Sequence, residues 1–309
     1  MKKLKIKTYG LTDIGRQRSS NQDFQGNLTL SKKSPLPGIT VIAVADGMGG
    51  HAGGEVASKL AIEIFLGEIQ KSFEEHHSQG IKYDQLTLDI KNQVKDILKD
   101  AVKKSNDVVY RKSCENPRLN GMGTTLTVAV ILNGVAIFAN VGDSRGYLIS
   151  NGKIHQVTND HSWGAEQVLA GLISEEQARN HPRRNIITRS IGTLPSVEID
   201  LEEKNIQKGD IVFLCSDGLY PVLSDSQIIN EFNLNKTNLI CKSLVDKAND
   251  KGGPDNIAVA FARLESNVQI DKKIKNANVS TEKMNQETLG DGKINSWFMK
   301  FWQLLQRLF

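Results

Sequence analysis

The sequence predicts an α+β fold in which one sheet stacks on another and helices cover the outside. Three observations carry this. Two long helical patterns follow one another before residue 110, apolar strand runs broken by Asn-Gly turns fill the stretch from 124 to 157, and two further apolar runs near 211 and 257 alternate with helical segments. No internal repeat is visible.

The elements follow in chain order. Residues 39–45 (ITVIAVA) form a short continuous apolar run that ends in Asp46 and a glycine cluster, which reads as a buried strand. A helix follows, with Ala57, Leu60, Ala61, Ile64 and Phe65 on one face; a second is marked by Leu86, Ile90, Val94, Ile97, Ala101 and Val108. Together they would cover one sheet face. TTLTVAVIL, Asn133-Gly134 and VAIFANV read as a hairpin, and RGYLI with KIHQV around Asn151-Gly152 as another, because Asn-Gly suits the left-handed backbone of a two-residue turn. Residues 162–190 read as short helices and loops, with His181, Arg183 and Arg184 as a small basic cluster. IVFLCSD (211–217) and IAVAFARL (257–264) are strands, with helical segments at 224–231 and 237–249 between them. The domain is expected to span residues 1–265. The polar stretch 266–293, rich in Lys, Asn, Ser and Glu, reads as a linker.

Composition narrows the classes. The chain has 309 residues, 39% hydrophobic and 24% charged, enough to bury one large core without staples. Cys114, Cys215 and Cys241 are odd in number with no CxxC pair, against a disulfide framework or a zinc ribbon. No run of 18 apolar residues suggests a membrane span, and no apolar stretch follows the N-terminal lysines, so the cytoplasm is the expected compartment. The net charge of +4 sits largely on the C-terminal 44 residues; the nearly neutral remainder gives no nucleic-acid footprint.

Five aspartates stand at turns or strand ends: Asp23, Asp46, Asp143, Asp217 and Asp255. Asp-Gly pairs are ordinary turn residues, and for any one of them that reading suffices. Five together suggest hard-cation binding, since converging carboxylates repel unless a divalent ion lies among them, and Mg²⁺ or Mn²⁺ prefers oxygen. Two such ions can share a hydroxide and aim it at phosphorus, with no protein nucleophile.

Eight stretches in order then point to a family: TDIGRQRSSNQD (12–23), VADGMGGHAGGEVAS (44–58), GMGTT (121–125), NVGDSRGYLI (140–149), TNDHS (158–162), HPRRNIITRSIG (181–192), CSDGLY (215–220) and GGPDNIAV (252–259). Residues 11–264 resemble the metal-dependent protein phosphatases of the 2C type, in their bacterial form. The resemblance implies a four-layer α-β-β-α sandwich of two antiparallel sheets, with a binuclear Mg²⁺ or Mn²⁺ site at one end and hydrolysis of phosphoserine and phosphothreonine by a metal-bound hydroxide. It implies that Asp46 bridges both ions, that the Gly47 carbonyl ligates one, that Asp217 and Asp255 complete the pair, and that Asp23 supports them. Asp143 with Asp217 would hold a third ion, and Arg18 would grip the substrate phosphate with its fork. Phosphorylated proteins, a serine/threonine kinase among them, are the implied partners.

Two departures qualify the match. Gln22 stands where many members carry Glu, and Met48 where animal members carry a proton-donating histidine. His51 is therefore the candidate general acid, with a loop histidine of no special role as the alternative. A phosphoprotein-binding module without turnover is a rival function, though none of its mark, lost aspartates, is seen; a small-molecule phosphatase or a nuclease on the same metals is another. The GxGxxA pattern at 47–52 is not read as a dinucleotide site, because Asp46 would face the pyrophosphate. No GxxxxGK[ST] occurs, and Asn120, Pro221 and Lys247 stand where a cysteine-nucleophile phosphatase needs arginine.

The last 16 residues, INSWFMKFWQLLQRLF, place Trp297, Phe298, Phe301, Trp302, Leu305, Leu308 and Phe309 on one helical side and Lys300, Gln303, Gln306 and Arg307 on the other. A helix of this length reaches about 24 Å, short of a bilayer's hydrocarbon core. Peripheral membrane contact is the expected use, with a partner groove or packing on its own domain as the alternatives. Oligomeric state is not readable.

Overall fold

The computed structural model describes residues 5–30, 38–49, 53–83 and 86–265. The chain divides into two units, Met1–Ser266 and Asn267–Phe309. The expected linker and amphipathic helix, and also His51, lie outside the described residues.

In chain order the elements are β1 (Lys5–Asp13), β2 (Asp23–Leu30), β3 (Ile39–Met48), α1 (Gly53–Ser78), α2 (Leu88–Glu115), β4 (Gly123–Thr124), β5 (Leu126–Leu132), β6 (Val135–Val141), β7 (Arg145–Ser150), β8 (Lys153–Gln156), α3 (Trp163–Leu169), α4 (Glu175–Asn180), β9 (Asp200–Asn205), β10 (Ile211–Cys215), α5 (Asp225–Leu234), α6 (Ile240–Asp250) and β11 (Ile257–Glu265). One sheet runs β1-β11-β10-β7-β8, the other β2-β3-β5-β6-β9 with β4 beside β3. All pairs are antiparallel.

The two-sheet, four-layer expectation holds, and the side-chain period of two shows why. Along β3, Val41, Ala43 and Ala45 pack with Phe65, Ile69 and Phe73 of α1 and Val94 and Leu98 of α2. The alternate residues Ile42 and Val44 face the other sheet, against Val212, Leu214, Ala258 and Ala260. On the far side Phe213, Cys215, Val259 and Phe261 pack under Ile228 and Phe232 of α5 and Leu244 and Val245 of α6. A strand buried on both faces reads as a continuous apolar run, which is why these strands were visible in the sequence. Both expected hairpins form; Asn133 and Asn151 take positive φ, 41° and 51°, as the Asn-Gly turn requires.

Three strands were not expected: β1, β2 and β9. Each is at a sheet edge, where one side of the ladder is free and the residues are only part-buried. β9 (DLEEKN) has almost no apolar residue, and its Glu203 forms ion pairs with Lys91 and Lys95 of α2. Among the described residues no helix is long and apolar enough to cross a membrane.

Candidate metal centre

The register brings the acids together. Asp23 and Asp46 are direct partners at the end of the β2–β3 ladder. Asp46 has the parity of Ile42 and Val44, so it faces the space between the sheets. In the other sheet the last β7–β10 partners are Arg145 and Cys215. Two residues beyond that last pair stand Asp143, before Arg145, and Asp217, after Cys215, where the strands have parted. Asp255 precedes β11 in the same end of the sandwich. Like charges opposite each other on paired strands are destabilising, so a fold that aligns such pairs needs a counter-charge.

Each acid is fixed by its backbone. The peptide N–H of Asp46 donates to Thr125 Oγ1 (2.9 Å), and its carbonyl accepts from Thr125 N (2.8 Å) and Thr124 Oγ1 (2.8 Å). A Cβ on Gly47 would lie 2.1 Å from the Gly54 carbonyl oxygen and 2.6 Å from that of Gln22, so only glycine lets the first turn of α1 close against β3. Gly142 has φ +108°, and a Cβ there would lie 2.5 Å from the Thr125 side chain. Asn256 holds the segment before Asp23: its amide donates to the carbonyls of Ile14 (2.8 Å) and Ser20 (2.9 Å), and its Oδ1 accepts from Gln22 N (2.8 Å). Gln22, in the place of the family's Glu, donates its amide to the Gly49 carbonyl at 3.4 Å.

Asp23 and Asp143 are 4% and 6% exposed, whereas Asp46 and Asp217 keep part of their surface open although protein crowds their carboxyl groups. Asp46 lies within hydrogen-bonding reach of both Asp23 and Asp217. Burial, and then the charge of Asp217, pushes Asp23 up to about 8 against an opposing bond from Ser216, and Asp143 up to about 7. Asp46 is raised well above the usual range by burial and then Asp23, and Asp217 by burial and then Asp255. Ser216 Oγ donates to Asp23 Oδ2 (2.6 Å), but Asp23 Oδ1, Asp143 Oδ1 and Asp217 Oδ1 are buried with no hydrogen-bond partner. Buried acceptors left alone cost about 1–3 kcal/mol each. Divalent cations bound among these acids would offset that cost. Among the described residues no three acids already stand as a finished ligand cage, so the fit rests on these orphaned oxygens and on the all-oxygen donor set.

Asp255 is engaged on both sides: Oδ1 accepts from Asn256 N (2.8 Å), and Oδ2 accepts from Arg18 Nη2 (2.6 Å). Arg18 is thus held at the rim, its side chain 55% exposed. The structure therefore gathers Asp23, Asp46, Gly47, Asp143, Asp217, Asp255 and Arg18 at one end of the sandwich. The segment that follows, residues 162–190, is tied to it by His161, whose N–H donates to the Gly142 carbonyl (2.9 Å) while its Nδ1 accepts from Gly142 N (3.1 Å). In the same segment the His181 imidazole stacks on Trp163 at 4.2 Å and the Arg183 guanidinium lies 5.8 Å from the same ring, while Arg183 and Arg184 are exposed. Sequence reasoning gave no role to Ser216, Thr125, His161 or Asn256. Only the residue beside each in a quoted motif could have pointed to them.

This arrangement has counterparts. The model of the family described as Protein phosphatase 2C matches residues 15–251. A relative in Listeria monocytogenes, serine/threonine phosphatase stp, is 36% identical over 250 residues, covering 80% of this chain and 92% of its own. The solved Streptococcus agalactiae serine/threonine phosphatase superposes with a TM-score of 0.72 at 34% identity, covering 84% of this chain and all of that one. The catalytic domain of the phosphatase PstP, solved in complex with two manganese ions, gives 0.67 at 30% identity, over 85% of this chain and all of that domain. With the family pattern matched across most of its length and the acids converging where two sheets end, the chain belongs to the protein phosphatase 2C family.

Proposed function

We propose that this protein is a metal-dependent serine/threonine phosphatase that removes phosphate from phosphoserine and phosphothreonine in proteins. The observation that carries it is the mouth of buried carboxylates with three orphaned oxygens. Asp46, the Gly47 carbonyl, Asp217 and Asp255 would hold two Mg²⁺ or Mn²⁺ ions, with Asp23 in support; Asp143 with Asp217 would hold a third. When bound, the ions supply positive charge for the phosphate and water activated for attack on phosphorus.

The chain's own residues do the rest. The β2–β3 ladder fixes Asp23 opposite Asp46, and hydrogen bonds with Thr125, Asn256 and Arg18 hold the segments around Asp46 and Asp255, so little reorganisation is needed when a phosphoester arrives. Arg18, oriented by Asp255, presents its exposed guanidinium to the phosphate. His51 is the proton donor to the departing alkoxide. The test is phosphate release from a phosphothreonine peptide, with Mn²⁺ and with chelator. Turnover should need the ion, and Asp46→Asn should abolish nearly all of it while circular dichroism stays native. Full activity of that variant in chelator would sink the reading; binding of the peptide without turnover would favour a recognition module.

A serine/threonine kinase is a natural target, since its phosphorylated loops are the substrate chemistry described. Residues 294–309 serve as a peripheral membrane anchor, an idea supported by their aromatic face and two cations. Full-length protein should pellet with anionic liposomes, and a chain ending near residue 265 should not; both remaining in the supernatant would refute the anchor.

A further inference from the structure

Behind the acids lies a cation that the chemistry above does not use. Arg145 opens β7, and its guanidinium meets Asp160 through both Nε (3.0 and 3.1 Å) and Nη2 (2.7 Å). Its Cζ sits 3.7 Å from the centre of the Tyr220 ring, and Nη1 is 3.5 Å from the Tyr147 hydroxyl. Gln156 donates to the same carboxylate (3.0 Å). The pair is largely enclosed, with side chains 26% and 11% exposed.

Three segments meet on this one side chain. Arg145 is two residues from Asp143. Tyr220 is three residues from Asp217. Asp160 belongs to the loop that leads, through His161, back to Gly142. The β7–β10 ladder ends at Arg145 and Cys215, so no ladder bond spaces the two acids beyond it. The guanidinium sits at the point of divergence, and its planar fork admits few orientations.

Neither stability nor charge accounts for it. An enclosed ion pair is often no better for stability than apolar residues of the same shape. Nor does it answer the acids' need for positive charge, because the Asp160 carboxylate is paired directly with the guanidinium and offsets its charge. What remains is placement.

We propose that Arg145, gripped by Asp160 and roofed by Tyr220, is a positioning residue that sets the spacing of Asp143 and Asp217 and so governs occupancy of the divalent-cation position these two acids share. The proposal rests on the reading of Asp143 and Asp217 as ligands. It separates the ions: the position built on Asp46, Asp217 and Asp255 shares only Asp217 with the pair that Arg145 spaces and keeps its other ligands, so it should change far less than the one built on Asp143, which should depend on Arg145.

The test is titration of the metal-free full-length chain with MnCl₂, followed by calorimetry and by the resonance of free Mn²⁺, for wild type, Asp143→Asn, Arg145→Lys and Asp160→Asn. Thermal unfolding in chelator is recorded for each. Asp143→Asn should delete the weakest Mn²⁺ binding event. Arg145→Lys, which keeps the charge and loses the fork, and Asp160→Asn, which keeps the shape, should each weaken that event about 10–100-fold and leave tighter events within about twofold. An unchanged isotherm for Asp143→Asn removes the ligand reading and the proposal with it. Loss of the event in Asp143→Asn alone, with the other two like wild type, overturns the proposal and spares the reading. Uniform weakening of every event together with a fall in unfolding temperature makes Arg145 merely structural and overturns it too. If Arg145→Lys does not fold, Asp160→Asn decides by the same criteria.

Discussion

Replacing Asp143 by Asn should flatten the pH dependence of stability in the metal-free protein. The side chain is 6% exposed, its Oδ1 has no partner, and burial raises its carboxyl to about 7 from 3.8. The sign follows from proton uptake. Below 3.8 the carboxyl is protonated in folded and unfolded chains alike. As pH rises towards 7 the unfolded chain ionises and the folded one resists, so stability falls, and the loss is complete once the folded carboxyl also ionises. The full penalty is about 4 kcal/mol, of which about 2 kcal/mol accrues between about pH 5.5 and about pH 8. Because the neighbouring acids titrate together, roughly half of that, about 1 kcal/mol, is the expected difference between wild type and variant. The assay is urea unfolding in chelator at the two pH values. Comparing each protein with itself cancels the fixed cost of burying an amide. Excess Mn²⁺ should raise the stability of wild type at the higher pH more than that of the variant, since wild type gains a bound ion that the variant lacks. If the variant loses as much stability as wild type between the two pH values, the Asp143 carboxylate is not held against its own ionisation and the electrostatic account of the site is wrong.

Two further outcomes are expected at the rim. Arg18→Ala should raise KM for a phosphopeptide about tenfold with kcat little changed, because ground-state phosphate binding is uniform binding; steady-state kinetics at saturating Mn²⁺ measures it, and a fall in kcat alone would assign Arg18 to the transition state instead. His51→Ala should lower kcat about 10²-fold for an alkyl phosphoester and much less for an aryl one, whose leaving group needs little protonation; equal losses on both would remove His51 as the acid.

The readable parts of the fold were those buried on both sides. β3, β5, β6, β10 and β11 announce themselves as unbroken apolar runs because each lies between a helix layer and the opposing sheet. β1, β2 and β9 did not, since an edge strand can be polar on its open side; in β9 only Leu201 packs on the core, while Glu203 pairs with Lys91 and Lys95. The acids were legible from their turns, but their pairing was not. That Asp23 opposes Asp46, and that Asp143 and Asp217 flank a parting ladder, are facts of register. Ser216 and Asn256 were silent for a related reason: a small polar residue takes its meaning from a partner far along the chain, Asp23 for the one and Gln22 for the other.

The pairing of β1 with β11 has a consequence for synthesis. The first strand's ladder neighbour is the last strand of the domain, and β11 also separates β1 from β10. While the chain is still emerging from the ribosome, the first sheet lacks an interior strand and Asp255 has not yet been made. The five carboxylates therefore cannot be assembled by any nascent fragment that stops short of β11. A truncated translation product that lacks β11 has an incomplete first sheet and no assembled site.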